Sequence, residues 1–259
     1  MTTLSRLLEH LYNAANGEMR IYGKNPILER LKSNPKSIKK IYLEEDHSEA
    51  GYIRTKAKQW GIPVFSVPRE KMFKMSRNIN AQGMFVEIEE FSYVGYDDLL
   101  DAATEKQYTL LFMDNLNDPQ NLGSIIRVTA CLGKFSLVLP THDSVGVTEA
   151  VLRVASGGDN HVSISQVSNL GQAIAKAKKQ GFWMVGASVG AGQNLYATQF
   201  NFPLGLVVGS EQKGIRDIIK KQLDVEVTIP LAHPRLSLNV SQAVTAFCYE
   251  ITKQKINQK

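Results

Sequence analysis

The stretch N-D-P-Q-N-L-G-S-I-I-R, residues 117 to 127, decides how the rest of this 259-residue chain is read. Just before it, Tyr108 to Met113 is an apolar run of strand length. Within it Asp118-Pro119 is turn chemistry, and beyond it Leu122, Ile125, Ile126 and Thr129 recur at helical spacing. Strand, polar loop, helix is the arrangement in which open α/β sheets hold ligands. It recurs at V-V-G-S-E-Q-K-G (207 to 214) and at I-P-L-A-H-P-R-L-S-L-N-V (229 to 240), so three polar loops are expected to converge on one site.

Working outward, strands and helices alternate on short connections. Strands are expected at 109 to 113, 135 to 139, 162 to 165, 182 to 187, 204 to 208 and 225 to 229. Helices are expected at 121 to 131, 148 to 154, 169 to 180, 214 to 221 and 239 to 254. That order predicts a mostly parallel sheet with helices on both faces.

Upstream, a smaller α/β module opens at Arg20. It has helices around 26 to 31 and 49 to 60, strands at 38 to 43, 63 to 67 and 84 to 88, and a basic helix after Val67. Residues 1 to 19 read as an extension with a short helix through Leu4, Leu7, Leu8 and Leu11. Polar, acidic 91 to 107 reads as the linker, which leaves 20 to 90 and 108 to 259 as the two domains.

Composition narrows the classes. Hydrophobic residues make up 43% and both charge signs are interspersed, as in an ordinary globular protein. No apolar run is long enough to span a bilayer and the N-terminus lacks a secretion signal, so a cytoplasmic, membrane-free protein is expected. Cys131 and Cys248 lie apart and the five His are scattered, which argues against a disulfide framework and against a metal site. The net charge is +5, and residues 1 to 90 hold fifteen Lys or Arg against eleven Asp or Glu, while the rest hold fifteen against fourteen. Basic runs there (Lys36, Lys39, Lys40; Arg54, Lys56, Lys58; Arg69, Lys71, Lys74, Arg77) suit a phosphate-facing surface, or are ordinary solvated faces.

Glycines beside helix starts (Gly123, Gly209, Gly214) let a small molecule approach the backbone closely. Gly190-Ala191-Gly192 is a weak dinucleotide motif, because no helical pattern comes after it.

Taken in order, the three loops resemble the SpoU (TrmH-like) branch of the SPOUT methyltransferases, which transfer a methyl group from S-adenosylmethionine to a ribose 2'-hydroxyl in tRNA or rRNA. The front module, opening I-Y-G-K-N-P-I-L-E-R-L, is similar to the RNA substrate-binding domain that many of these enzymes carry. By position, the resemblance implies that Asn121 and Arg127 are the catalytic residues of the first motif, Glu211 that of the second, and Ser237 with Asn239 those of the third. It implies cofactor contacts from Gly209, Ile229, Leu231 and Leu238, a trefoil knot, a homodimer and an RNA partner, rRNA before tRNA.

The departure from the family pattern is Ala232-His233-Pro234-Arg235-Leu236, where a Gly and often a second Ser are usual. Singly, each residue has another reading. Arg127 is an ordinary exposed helix residue, Glu211 a favourable charge at a helix N-terminus, Asn121 and Ser237 helix caps, and His233 a solvent-facing loop residue. A non-catalytic RNA-binding protein on the same fold and a nucleotide-dependent oxidoreductase using Gly190 and Gly192 are the rival functions.

Overall fold

The computed structural model describes residues 18–76, 79–190, 192–210, 213–233 and 236–257. The chain forms two units, Met1–Ser92 with Val147–Asn160, and Tyr93–Gly146 with His161–Lys259.

In the first unit the chain runs β1 (Glu18–Tyr22), α1 (Lys24–Ser33), β2 (Ile38–Glu44), α2 (Ala50–Gln59), β3 (Val64–Val67), α3 (Arg69–Met75) and β4 (Met84–Glu89). Its four-stranded sheet has the order β1-β4-β2-β3, antiparallel except for the β2–β3 pair. Alternation along β2 sets its faces: Ile41 and Leu43 are buried, while Lys40 and Tyr42 point to the opposite, half-exposed side.

The second unit begins with α4 (Tyr96–Glu105), β5 (Thr109–Asp114), α5 (Pro119–Leu132) and β6 (Phe135–Pro140). After α6 (Glu149–Ala155), which groups with the first unit, come β7 (Ser163–Val167), α7 (Leu170–Lys179), β8 (Trp183–Ser188), β9 (Gln193–Asn194) and β10 (Leu204–Gly209). The chain closes with α8 (Asp217–Lys220), β11 (Val225–Thr228) and α9 (Val240–Asn257). Its seven-stranded sheet is parallel throughout, in the order β7-β6-β5-β10-β8-β11-β9. β5, β6 and β10 are buried at every position, as strands covered on both faces must be. Leu99, Leu100 and Ala103 of α4 join Ala173, Ile174 and Ala177 of α7 in one core with Leu110, Phe112 and Val207 of the sheet.

Besides the two-residue β9, the structure departs from the sequence reading in four places. Strand β1 was not expected; it is held by pairing with β4 along all five residues. The expected linker, 91 to 107, contains α4, because Leu99, Leu100 and Ala103 share a helix face that the core buries. The expected helix over 214 to 221 shrinks to Asp217–Lys220, since Gly214 takes a left-handed φ of 66° and bridges back to Ser210.

Lastly, residues 147–160 group with the first unit rather than continuing the second. There Glu149 Oε1 accepts the Arg20 amide at 2.7 Å, and buried Asp159 pairs with buried Arg30. A buried ion pair linking stretches that far apart holds only if both partners are supplied, so this segment is part of that unit's core. The expected N-terminal helix falls outside the described residues.

Candidate active site

Strand order reverses at β5: β6 and β7 extend to one side, β10, β8 and β11 to the other. In open parallel sheets such a switch point, at the carboxyl ends of the strands, leaves a crevice for a ligand. Here the ends of β8, β10 and β11 border a cavity of about 810 Å³. Ser188, Gly209, Thr228, Ile229, Leu231 and Leu238 line it, and Phe247 of α9 lies at its wall. That volume is within the range of small-molecule sites, roughly 300–1,000 Å³.

Asn239, also in the lining, joins the third loop to the first. Its Nδ2 donates to Asn121 Oδ1 at 2.9 Å, while its own Oδ1 accepts from the Ser241 amide at 2.9 Å and the Ser241 hydroxyl at 2.6 Å. With both ends of its amide engaged, Asn239 cannot rotate without breaking several bonds. Asn121 is buried in the first turn of α5, whose start is set by Pro119 and by Asp118 Oδ1 accepting the Gln120 amide at 2.9 Å.

A second tie joins the first loop to the middle one. Asp114, fully buried at the end of β5, accepts from the Arg216 amide at 2.8 Å and from Arg216 Nε and Nη2 at 2.7 Å each. This two-pronged guanidinium–carboxylate pair pins the segment after Gly214 beside the cavity. Gly209 is pressed still closer: a Cβ there would stand 2.1 Å from the Gly214 carbonyl carbon. The glycine is required by the approach of the loop's own backbone. Sequence reading missed Asp114, Arg216 and the cavity-lining Ser188, whose hydroxyl bonds to Glu226. An acid closing an otherwise apolar strand, L-L-F-M-D, was the available signal for Asp114.

Of the expected residues, Gly209, Ile229, Leu231, Leu238, Ser237 and Asn239 all line the cavity, and Asn121 is bonded to it through Asn239. Arg127 is exposed on α5 and is not in the lining. Six residues on a helix turn a side chain about 120° away, so Arg127 leaves the axis in a different direction from Asn121. Glu211 lies outside the described residues. His233 is exposed and outside the lining, while Leu236 contributes to it. Gly190 lines the same cavity. Gly192 is explained by packing, since a Cβ there would meet the Glu226 carbonyl oxygen at 2.3 Å, and the next element is β9 rather than the helix a dinucleotide motif needs. Among the described residues no group of His, Cys, Asp and Glu is placed to hold a metal, and no helix is long and apolar enough to cross a membrane.

Fold and site together define an α/β protein with a small-molecule-sized pocket at the carboxyl ends of β8, β10 and β11 of a parallel sheet, whose bordering loops are tied to the first loop through side-chain amides and a half-exposed ion pair. Comparison with known proteins narrows this class. Residues 108–249 match the SpoU rRNA Methylase family, and residues 20–94 match the RNA 2'-O ribose methyltransferase substrate binding family. The chain belongs to the SpoU family and is an RNA ribose 2'-O-methyltransferase.

It is 34% identical, over 91% of its length and 95% of the relative's, to a Bacillus subtilis protein named as a TrmH family tRNA/rRNA methyltransferase, YacO. It is 31% identical, over 90% and 91%, to the 23S rRNA (guanosine-2'-O-)-methyltransferase RlmB of Nitrosomonas europaea. Among solved structures, the SpoU methyltransferase AviRb of Streptomyces viridochromogenes, in complex with AdoMet, superposes with a TM-score of 0.77 at 21% identity, covering 94% of this chain and 92% of that one.

Proposed function

We propose that the chain methylates a guanosine ribose in 23S rRNA, with tRNA as the second choice of substrate, using S-adenosylmethionine held in the cavity of the second unit, and that it works as a homodimer. The observation that carries this reading is the Asn239–Asn121 bond of 2.9 Å, which joins the first and third motifs beside a cavity of small-molecule size. The names of the relatives support the RNA and the nucleotide.

The residues present suit the cofactor. Ile229, Leu231 and Leu238 offer apolar surface for a flat base, and the backbone of the loops after β8, β10 and β11 offers polar groups for its edges and for the amino acid portion. When bound, S-adenosylmethionine supplies a methyl group on a positively charged sulfonium.

The chain's own residues then have to orient the ribose and accommodate charge on its oxygen. Asn239, locked by Ser241 and Asn121, and Ser237 in the same lining are the positioning groups, and Glu211 is the acidic residue of the middle loop. Arg127 carries a permanent charge and is a poor proton acceptor, so its role is to favour the developing alkoxide and hold the adjacent phosphate. Water or phosphate takes the proton. Because Arg127 lies outside its own chain's cavity lining, it acts in this reading from one copy upon the cavity of the other. The trefoil threading of the C-terminal segment belongs to the same proposal.

The test is single-turnover methylation of rRNA together with calorimetry. Arg127→Ala is expected to lose roughly a hundredfold or more in rate, as removal of one transition-state donor does, with cofactor affinity nearly unchanged. A wild-type rate would refute the role. No heat with S-adenosylmethionine would favour a non-catalytic RNA-binding protein. A monomer by light scattering would overturn the action of Arg127 across copies.

A further inference from the structure

One row of the first unit's sheet is aromatic on all four strands. Tyr22 on β1, Phe85 on β4, Tyr42 on β2 and Phe65 on β3 are register partners, so they stand side by side on one face. Tyr42 stacks on Phe85 with centroids 4.5 Å apart and planes at 13°, and on its other side Phe65 stacks on Tyr42 at 5.4 Å and 23°. Burial runs out along the row. Tyr22 and Phe85 are buried, Tyr42 is half-buried, and Phe65, on the edge strand, is 47% exposed.

Phe65 thus presents ring surface to water on an edge strand, where a further use for that surface is open to it. The charges around it supply one. In the next row of the same face, Arg20 and Lys40 both reach Glu87, at 3.1 Å and 3.2 Å, which places two basic side chains beside the aromatic row. On the other face of β3 the Arg54 guanidinium donates to Ser66 Oγ, one residue from Phe65. An exposed π-face flanked by cations is the arrangement that takes a nucleic-acid base whose own face is free, the ring meeting the base and the cations the phosphates. A base within a duplex has both faces covered by its neighbours and has none to offer.

We infer that Phe65, with Lys40 on the same face of the sheet and Arg54 on the opposite face of its edge strand, is a stacking platform for an unpaired base of the RNA substrate. This rests on the reading that the chain acts on RNA, and adds that the first unit engages a single-stranded loop or bulge.

The experiment uses the full chain and a single-stranded oligoribonucleotide carrying 2-aminopurine, with the same sequence as a duplex for comparison. Phe65→Ala and Phe65→Leu, the second of which keeps an apolar contact with Tyr42, are both expected to weaken single-strand binding about tenfold and to lose the fluorescence quenching that stacking causes. Phe65→Trp should retain both, duplex binding should change by less than about twofold, and S-adenosylmethionine binding should be the same in all variants.

Wild-type affinity and quenching in Phe65→Leu overturn the platform while leaving the RNA reading intact. Equal losses for single strand and duplex do the same. Loss of self-association in Phe65→Leu, measured by sedimentation, would assign the edge to a second copy and overturn the platform too. A wild-type protein that binds neither RNA overturns both.

Discussion

Replacing Gly209 by Ala tests the architecture of the pocket most directly, because the clash can be worked out from distances. The added methyl carbon would lie 2.1 Å from the Gly214 carbonyl carbon, 2.3 Å from its oxygen and 2.3 Å from the Ile215 nitrogen. All three are backbone atoms, so no side chain can swing aside. Separation has to grow beyond 3.0 Å, a movement of about 1 Å in the loop or in the end of β10.

β10 is the less free to move, being paired on both sides with β5 and β8, so the loop should give way. That would break the Ser210–Gly214 bridge and displace Ile215, which lines the cavity. Overpacking of this kind costs about 1–3 kcal/mol, or some 2–6 °C in melting temperature for a chain of this size. A 1 Å shift in a binding wall is expected to weaken S-adenosylmethionine by tenfold or more in titration calorimetry. Melting and affinity both indistinguishable from the parent would refute the claim that Gly209 is dictated by the packing of this loop.

Two further outcomes can be checked on the same protein. Arg216→Ala leaves the buried Asp114 carboxylate with the Arg216 amide but without its counter-charge. With the guanidinium site 43% open to water, the cost should fall near or below the low end for a broken buried pair, about 2–3 kcal/mol by urea denaturation, with weaker cofactor binding; a change below about 0.5 kcal/mol would show that the pair does not hold the loop. Burial, then nearby Lys134, lowers the pKa of Lys255 on α9 to about 8. A lysine depressed in the fold opposes folding while it is charged. Stability should therefore gain a component as pH rises through about 8 toward the unfolded value near 10.5, and Lys255→Met should remove that component; parallel stability–pH curves for the two proteins would refute it.

The long elements were legible because their causes are local. Thr109–Asp114 is an apolar run of strand length, Pro119–Leu132 opens with an Asp cap and Pro, and Val240–Asn257 buries Val244, Phe247, Cys248 and Ile251 at helical spacing. Two strands, β1 and β9, were not legible. β1 exists because β4 offers it a partner, and the two-residue β9 because Gly192 lets the backbone approach β11. Most of the expected site residues line one cavity, yet Asp114 and Arg216 carried little signal, since what makes them matter is the pairing of residues 102 positions apart.

What the chain's residues determined alone was the alternation of strands and helices, the loops where polar groups cluster, and, through three ordered motifs, the family. Only the tertiary structure decided that Asn239 reaches back to Asn121, that residues 147–160 build the first unit, and that Arg127 stands apart from its own cavity. Period and turn chemistry act over a few residues, whereas strand order, register and the direction a helix presents are set by which surfaces meet once the whole sheet has formed.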